Sequence, residues 1–283
     1  MLRPDPDLVP VAVVGSPVGS GYAKAAQALA AQAIATPVDG LVAGPVSIAS
    51  GDFAVPAYRA CREGAGPFPV VLVVSEIFGV HEYIADVARR FARLGYLAIA
   101  PELFVRQGDA KAPAEIPVLF ATIISKVPDE QVMADLDACV AWAGQNGGDL
   151  GRLAVTGFCW GGRITWLYAA HSAAVKAGVA WYGRLTGPTT PLQPRHPVDV
   201  AGELKAPVLG LYGDADTGIP LDHVDHMKAS LAQGSAAAKA SQFVVYPRAQ
   251  HAFHADYRPN YDETAARDGW QRCVDWLRAH GVA

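Results

Sequence analysis

The sequence predicts an α/β fold in which a mostly parallel central sheet carries helices on both faces. Apolar runs of strand length, such as residues 70–74 and 208–212, alternate with longer segments of helical periodicity, a pattern typical of a parallel sheet covered by helices. The run at residues 70–74 has no polar position, as in a strand buried on both faces. With 51% apolar and 18% charged residues in a chain of 283, a large core is available.

The predicted elements follow in chain order. Residues 41–47 and 53–58 are two short strands around a turn at residues 50–52. The helix predicted at residues 81–94 has apolar side chains on one side and ends at Gly95. The other predicted strands are residues 96–100, 153–156, 178–182 and 243–246, and the other predicted helices are residues 113–125, 129–144, 163–170, 221–232 and 262–279.

The chain divides into an N-terminal extension and one domain. Residues 1–40 are Ala-rich and can form a helix, and residues 41–283 are predicted to be a single α/β domain. Export through an atypical leader is an alternative, because Ala-Gln-Ala at residues 31–33 resembles a signal-peptidase site. Asp5 and Asp7, however, make a poor start for a leader. We therefore expect a cytoplasmic protein.

Composition and charge limit the classes of partner that the protein is expected to bind. The net charge of −4 and the absence of a basic block argue against nucleic acid and anionic membrane surfaces. No run of apolar residues is long enough to predict a membrane span. The four cysteines form no C-x-x-C pair, so we expect free thiols and neither a metal site nor a disulfide framework. The oligomeric state does not follow from the sequence.

A glycine-rich turn at residues 157–162, Gly-Phe-Cys-Trp-Gly-Gly, joins a predicted strand to a predicted helix. A nucleophile in the middle of such a turn is the nucleophile-elbow arrangement. Here the nucleophile is the thiol of Cys159, and the helix N-terminus beside it favours the thiolate. The turn alone is equally compatible with a buried structural cysteine, so the other residues of a catalytic site must decide.

Residues able to complete such a site follow other predicted strands. In parallel sheets, chemistry collects at the carboxyl ends of the strands. Cys159, Asp216 and His251 each lie just past a strand and occur in the order nucleophile, acid, histidine that the α/β-hydrolase arrangement uses. The same rule also selects Glu76, Tyr182 and residues 102–106.

Each partner of the cysteine has a rival. His254 competes with His251, which we prefer because it lies nearer the strand end. Asp214 competes with Asp216, which we prefer because the turn at residues 217–220 can aim its carboxylate inward. A capping or solvated role for either aspartate is the alternative.

Six separated motifs reveal a resemblance to a known family. They are residues 76–80, 100–107, 157–162, 181–183, 213–216 and 250–253. In this order they resemble the dienelactone hydrolases (carboxymethylenebutenolidases), from about residue 46 to the C-terminus. The resemblance implies an α/β-hydrolase fold and a triad of Cys159, His251 and Asp216.

The resemblance also implies roles around the triad. Glu76 matches a glutamate that contacts the resting thiol and helps to ionise it when substrate displaces it. Arg106 matches an arginine that binds the substrate carboxylate, and Tyr182 matches a tyrosine of the pocket. From the residues alone, Arg106 can instead be a surface residue, or the partner of a buried Glu76.

One position departs from the family pattern. The family's second carboxylate-binding arginine, four residues after the histidine, is Ala255 here. Arg258 lies three residues further on and can take its place from a shifted loop. The departure bears on the anionic end of the substrate more than on the hydrolytic chemistry.

The sequence therefore predicts an enzyme that hydrolyses a small, carboxylate-bearing lactone or ester through a thioester on Cys159. Backbone N–H groups of Ile77 and Trp160 are expected to hold the oxyanion. No metal or organic cofactor is expected. A general carboxylesterase acting on neutral esters and a non-catalytic binding protein on a hydrolase fold are the alternatives.

Overall fold

An eight-stranded sheet forms the centre of the computed structural model, which describes residues 33–113 and 115–283. Its strands are β1 (Leu41–Ser50), β2 (Phe53–Arg62), β3 (Phe68–Val74), β4 (Leu97–Pro101), β5 (Gly148–Phe158), β6 (Val175–Trp181), β7 (Val208–Gly213) and β8 (Gln242–Tyr246). They are arranged in the order β1-β2-β4-β3-β5-β6-β7-β8. Most of the predicted N-terminal extension, residues 1–32, lies outside the described residues.

The sheet is mostly parallel. β1 and β2 form an antiparallel hairpin, and β2 is also antiparallel to β4. All pairings from β4 across to β8 are parallel. The predicted α/β class is therefore confirmed, and the antiparallel hairpin extends the sheet at one edge.

Helices connect the strands. They are α1 (Glu82–Arg93), α2 (Ile116–Thr122), α3 (Asp129–Gln145), α4 (Trp160–His171), α5 (Pro197–Val200), α6 (Leu221–Ala232), α7 (Ala236–Ala240) and α8 (Glu263–Ala279). α1 packs on β2 and β4, and α4 packs on β5 and β6. On α1, Ile84, Val87 and Phe91 are fully buried, and each such side chain contributes about 1.5–3 kcal/mol of burial free energy. In the described ranges, no helix has the length and apolar character needed to cross a bilayer.

Several boundaries differ from the sequence-based expectation. β5 begins at Gly148 rather than residue 153, because Gly148 and Asp149 pair with the start of β3 before a register shift. The helix expected at residues 113–125 is interrupted at Ile123, and a 3₁₀ turn follows it. α5 and α7 were not predicted; both are too short to give a periodic apolar pattern.

The register of three central strands positions the candidate site. Val74 at the end of β3 pairs with Gly157, and Phe158 at the end of β5 pairs with Trp181. The carboxyl ends of these strands therefore lie side by side. The residues that follow them, Glu76, Cys159 and Tyr182, leave the sheet at the same edge.

Candidate active site

Cys159 lies at the turn between β5 and α4. Its φ of 56° and ψ of −114° place a non-glycine residue in a backbone conformation that is normally avoided. The Cys159 amide donates to the carbonyl oxygen of Trp181 (3.0 Å), and the Cys159 carbonyl accepts from the amides of Gly162 and Arg163. The surrounding main chain therefore holds the strained residue in place, at the N-terminus of α4.

Two glycines allow this turn to form. A Cβ on Gly157 would lie 2.2 Å from the carbonyl oxygen of Gly161, and a Cβ on Gly161 would lie 2.3 Å from that of Val74. Both distances are far below van der Waals contact. The start of α4 can approach β3 and β5 only because these residues have no side chain.

His251 and Asp216 form a close pair. His251 Nδ1 lies 2.7 Å from Asp216 Oδ2, and the other carboxylate oxygen accepts from the Gly218 amide at 2.9 Å. Gly218 belongs to the turn from which an inward-directed carboxylate was expected, and Asp216 is buried. The rival Asp214 is exposed and accepts from the Arg248 amide.

The surroundings of His251 favour its protonated form. Burial by itself lowers the pKa of His251, but the negative charge of Cys159 and hydrogen bonds to Asp216 and Cys159 outweigh it. Together they raise the pKa of His251 from 6.5 to about 10. Asp216 and Cys159 thus both favour the imidazolium form of His251.

The rival His254 is a core residue. Its side chain is buried, and its ring lies 4.4 Å from that of Trp181 and 5.4 Å from that of Phe158. His254 Nδ1 lies 2.6 Å from the Tyr83 hydroxyl. Burial, together with the charge of Arg90, holds the pKa of His254 well below its usual range. His254 is therefore a neutral histidine in an aromatic stack.

Glu76 is buried beside the elbow, but its observed partners differ from the expected thiol. The Tyr257 hydroxyl donates to Glu76 Oε2 at 2.6 Å, and His81 Nε2 lies 3.5 Å from the same oxygen. Burial raises the pKa of Glu76, but the hydrogen bond and charge of His81, with the charge of Arg258 and the Tyr257 hydrogen bond, bring it below the ordinary value. Glu76 is thus favoured as a carboxylate without the help of Cys159.

The loop that carries Tyr257 is anchored by a buried ion-pair network. Arg90 on α1 binds Asp256 (Nη2–Oδ2, 2.5 Å) and Asp86 (Nε–Oδ2, 2.5 Å). Leaving such charges unpaired in the interior would be costly. The network therefore fixes the loop after β8 against α1.

Arg106 occupies a different environment from the one expected. Its guanidinium forms a two-point contact with the buried Asp135 (Nη1–Oδ2, 2.5 Å; Nη2–Oδ1, 2.9 Å) and lies 4.4 Å from the Phe53 ring centroid. Its partner is therefore Asp135 and not Glu76, and it is not a solvated surface residue, because its side chain is only 21% exposed. An arginine engaged in this way is poorly suited to bind a substrate carboxylate as well.

Arg258 is the cation that the structure places near Glu76. Its guanidinium carbon lies 5.9 Å from the Phe78 ring centroid, its side chain is half-buried, and its charge lowers the pKa of Glu76. Ala255, at the family's arginine position, is fully buried. A cation three residues beyond Ala255 therefore lies on the same side of the site as Glu76.

The remaining predicted residues border the same region. The Tyr182 ring is buried and lies 5.3 Å from the His251 ring, edge to face. Ile77 follows β3, and Trp160 begins α4 immediately after Cys159. Within the described ranges, neither amide donates to a protein acceptor. Unpaired amides at these two positions are what an oxyanion site requires. The described residues contain no cluster of His, Cys, Asp or Glu able to hold a metal ion.

Three residues in this region were not selected from the sequence. Asp135 lies on the buried side of α3, where an acidic residue gives no separate signal. His81 directly follows the motif at residues 76–80, and Tyr257 is next to Arg258. Proximity to recognised motifs is the signal that could have identified the last two.

A cysteine at the elbow after β5, an acid after β7 and a histidine after β8, on a mostly parallel sheet, define the chain as an α/β-hydrolase-fold protein. The sequence pattern described as "Dienelactone hydrolase family" matches residues 55–281. The chain belongs to the dienelactone hydrolase family, and its class of enzyme is carboxylic ester hydrolase.

Individual relatives agree with this membership. A protein of Methylorubrum extorquens named "Putative carboxymethylenebutenolidase" is 58% identical over 273 residues, covering 96% of this chain and 93% of that one. The crystal structure of a "Putative Dienelactone Hydrolase" from Klebsiella pneumoniae has a TM-score of 0.82 and 56% identity, covering 84% of this chain and 98% of that one. A Bradyrhizobium protein named "Probable 2-oxo-3-(5-oxofuran-2-ylidene)propanoate lactonase" is 30% identical over 228 residues, covering 79% of this chain and 89% of that one.

Proposed function

We propose that the chain hydrolyses a small, carboxylate-bearing lactone or ester through a thioester on Cys159. The observation that carries the proposal is the 2.7 Å contact between His251 Nδ1 and Asp216 Oδ2, with Cys159 at the elbow acting with Asp216 to raise the pKa of His251. A nucleophile, a base and a group that orients the base are the parts needed for acyl transfer. The lactonase name of the Bradyrhizobium relative is consistent with this class of substrate.

Acylation begins with attack of the Cys159 thiolate on the substrate carbonyl. The carbonyl oxygen becomes an oxyanion, which the amides of Ile77 and Trp160 stabilise. When the carbon–oxygen bond breaks, the leaving alkoxide takes the proton of the His251 imidazolium. For a lactone, the released hydroxyl group stays attached to the acyl chain.

The same step prepares the histidine for deacylation. In the free enzyme, the negative charge of Cys159 raises the pKa of His251. Forming the thioester removes that charge. With that charge gone, the pKa of His251 falls, so a larger fraction of the imidazole is neutral at a given pH. It then accepts a proton from water, whose oxygen attacks the thioester carbonyl. The carbon–sulfur bond breaks, the carboxylic acid product leaves, and Cys159 returns as the thiolate beside the protonated His251. Asp216 holds Nδ1–H, which leaves Nε2 for this proton transfer.

Arg258 is the proposed contact for the substrate carboxylate. It is half-buried and lies on the loop next to Tyr257, whereas Arg106 is already paired with Asp135. No hydrogen bond joins the Arg258 guanidinium to another residue in the part of the chain that the structure describes, and such a guanidinium can form a charge-assisted contact to a carboxylate. In this proposal, Glu76 faces the reacting groups through Oε1, a buried oxygen with no hydrogen-bond partner among the described residues.

A second candidate function is hydrolysis of neutral esters. The Arg106–Asp135 pair favours it, because the family's two carboxylate-binding arginines are reduced here to Arg258. The triad chemistry is identical in both candidates. They differ only in how much the enzyme gains from a negative charge on the substrate.

The experiment is a hydrolysis panel of small lactones and of matched anionic and neutral aryl esters. We expect Cys159→Ala to abolish turnover of every substrate that the wild type hydrolyses, because the variant cannot form the thioester. Cys61→Ala, which removes a buried thiol on β2, is the matched control and should retain turnover. Unchanged turnover in Cys159→Ala would refute the mechanism.

A further inference from the structure

A second buried polar cluster lies beside the triad. It consists of Glu76, His81 and Tyr257, all at most 5% exposed. Both His81 and Tyr257 contact the same carboxylate oxygen, Oε2, at 3.5 and 2.6 Å. The proposed acyl-transfer steps use neither His81 nor Tyr257, so their contacts with Glu76 require a separate explanation.

The aromatic surroundings fix the position of His81. Its ring centroid lies 4.9 Å from that of Tyr257, 5.9 Å from that of Tyr83 and 6.2 Å from that of Phe78. His81 is also the N-cap residue of α1, directly before Glu82. An imidazole held by rings on several sides has few alternative rotamers, and its distance to Glu76 is therefore well defined.

An ionised carboxylate in the interior requires compensation. His81, Arg258 and Tyr257 act on Glu76, and the charge of Glu76 acts in turn on Tyr83, Tyr182 and Tyr257. Burial, with a contribution from the charge of Glu76, holds the pKa values of the three tyrosines well above 10, so they remain neutral. His81 and Arg258 are therefore the groups that can supply positive charge.

His81 and Arg258 serve different partners once substrate is present. Under the proposed function, Arg258 binds the substrate carboxylate, and its interaction with Glu76 is then shared. His81 lies farther inside the protein, being 5% exposed, whereas Arg258 is half-buried. His81 is thus the partner that continues to stabilise Glu76 throughout the reaction.

We propose that His81 is a positioning residue that acts through Glu76. Together with Tyr257 it holds Oε2, keeps the carboxylate ionised, and leaves Oε1, which has no hydrogen-bond partner among the described residues, available to the reacting groups. The inference rests on the proposed function, because it assigns Glu76 to the working site. It adds a second histidine–carboxylate unit with a role distinct from that of His251 and Asp216.

The test compares pH profiles of kcat/KM for a neutral ester, so that substrate charge does not enter. Burial raises the pKa of Glu76 and His81 lowers it. Removing the imidazole in His81→Asn should therefore raise the pKa of Glu76. We expect the acidic limb of the profile to move to higher pH by about 1–3 units. Tyr257→Phe removes one hydrogen bond without changing the ring, and should move the limb in the same direction by a smaller amount.

Two matched variants control for loss of a histidine or a hydroxyl. His171 contacts Asp137 at 2.7 Å on the surface, and the Tyr246 hydroxyl donates to Asp268 at 2.8 Å. His171→Asn and Tyr246→Phe should leave the profile unchanged. A rate reduced by the same factor at every pH in both His81→Asn and Tyr257→Phe would overturn the proposal, since that is the signature of a purely structural role.

Dependence on Glu76 provides the second criterion. In a Glu76→Gln background, His81→Asn should no longer move the acidic limb, and a shift that persists there also overturns the proposal. If His81→Asn does not fold, Tyr257→Phe decides by the same criteria. Failure of the proposed function can be distinguished from failure of the His81 proposal, because it would appear as turnover that survives Cys159→Ala in the same assay.

Discussion

The pKa of His251 offers a direct test of the electrostatics in the triad. Cys159 raises this pKa both through its charge and through a hydrogen bond, and Asp216 adds further contributions. Cys159→Ala removes both contributions of Cys159 to the pKa of His251 and leaves the contact with Asp216 in place. The same loss of negative charge occurs when Cys159 becomes a thioester, so the variant reports on the histidine of the acyl-enzyme.

The expected magnitude follows from the geometry. An opposite charge within a few ångströms shifts a pKa by about 1–3 units. The His251 side chain is 33% exposed, and solvent screening places the effect toward the lower part of that range. We therefore expect the pKa of His251 to fall from about 10 by about 1–2 units in Cys159→Ala.

Side-chain ¹H–¹⁵N correlation spectra recorded from pH 5 to 11 measure this titration. His254 is an internal reference, because its buried ring has a pKa well below the usual range in both proteins. A His251 pKa that stays near 10 in Cys159→Ala would refute the argument. It would show that Asp216 alone sets the value, and that acylation does not release the histidine to act as a base.

Three further substitutions separate substrate binding from structural support. Arg258→Ala should lower kcat/KM for an anionic ester by about 10- to 100-fold, the loss of one charge-assisted contact, and leave a matched neutral ester unaffected. Arg106→Ala should leave this selectivity unchanged but lower the free energy of unfolding by about 3 kcal/mol, because Asp135 loses its buried partner. The opposite pattern in the two arginine variants would contradict both assignments. In Gly157→Ala, the new Cβ would lie 2.2 Å from a main-chain oxygen. The free energy of unfolding, measured by denaturant titration, should fall by about 1–3 kcal/mol. Wild-type stability in this variant would show that the elbow is less tightly packed than described.

The fold was predictable because its signals are local and repeated. Apolar runs such as residues 70–74 alternate with helical periodicity, and this alone indicates a parallel sheet. The order of Cys159, Asp216 and His251 along the chain was also visible, because each lies shortly after the end of a strand. The structure brings Asp216 and His251 to within hydrogen-bond distance.

The partners of the charged residues were not predictable in the same way. Asp135 and Arg106 are 29 residues apart in sequence, and no local pattern links an acid on α3 to an arginine in a loop. Tyr257 and Glu76 are 181 residues apart. Such pairings depend on how helices and loops pack against the sheet, which periodicity does not specify. Residue-type arguments therefore identified Arg106 and Glu76 as notable but did not identify their contacts.

The most direct measurement of the central claim is the mass of the enzyme during turnover. The protein is mixed with an activated ester, quenched in acid within milliseconds, digested and analysed by mass spectrometry. The account predicts an acyl group on the peptide that contains Cys159, formed before steady state and lost when hydroxylamine is added. Acylation of another residue, or rapid turnover with no acyl-enzyme and full activity in Cys159→Ala, would contradict it.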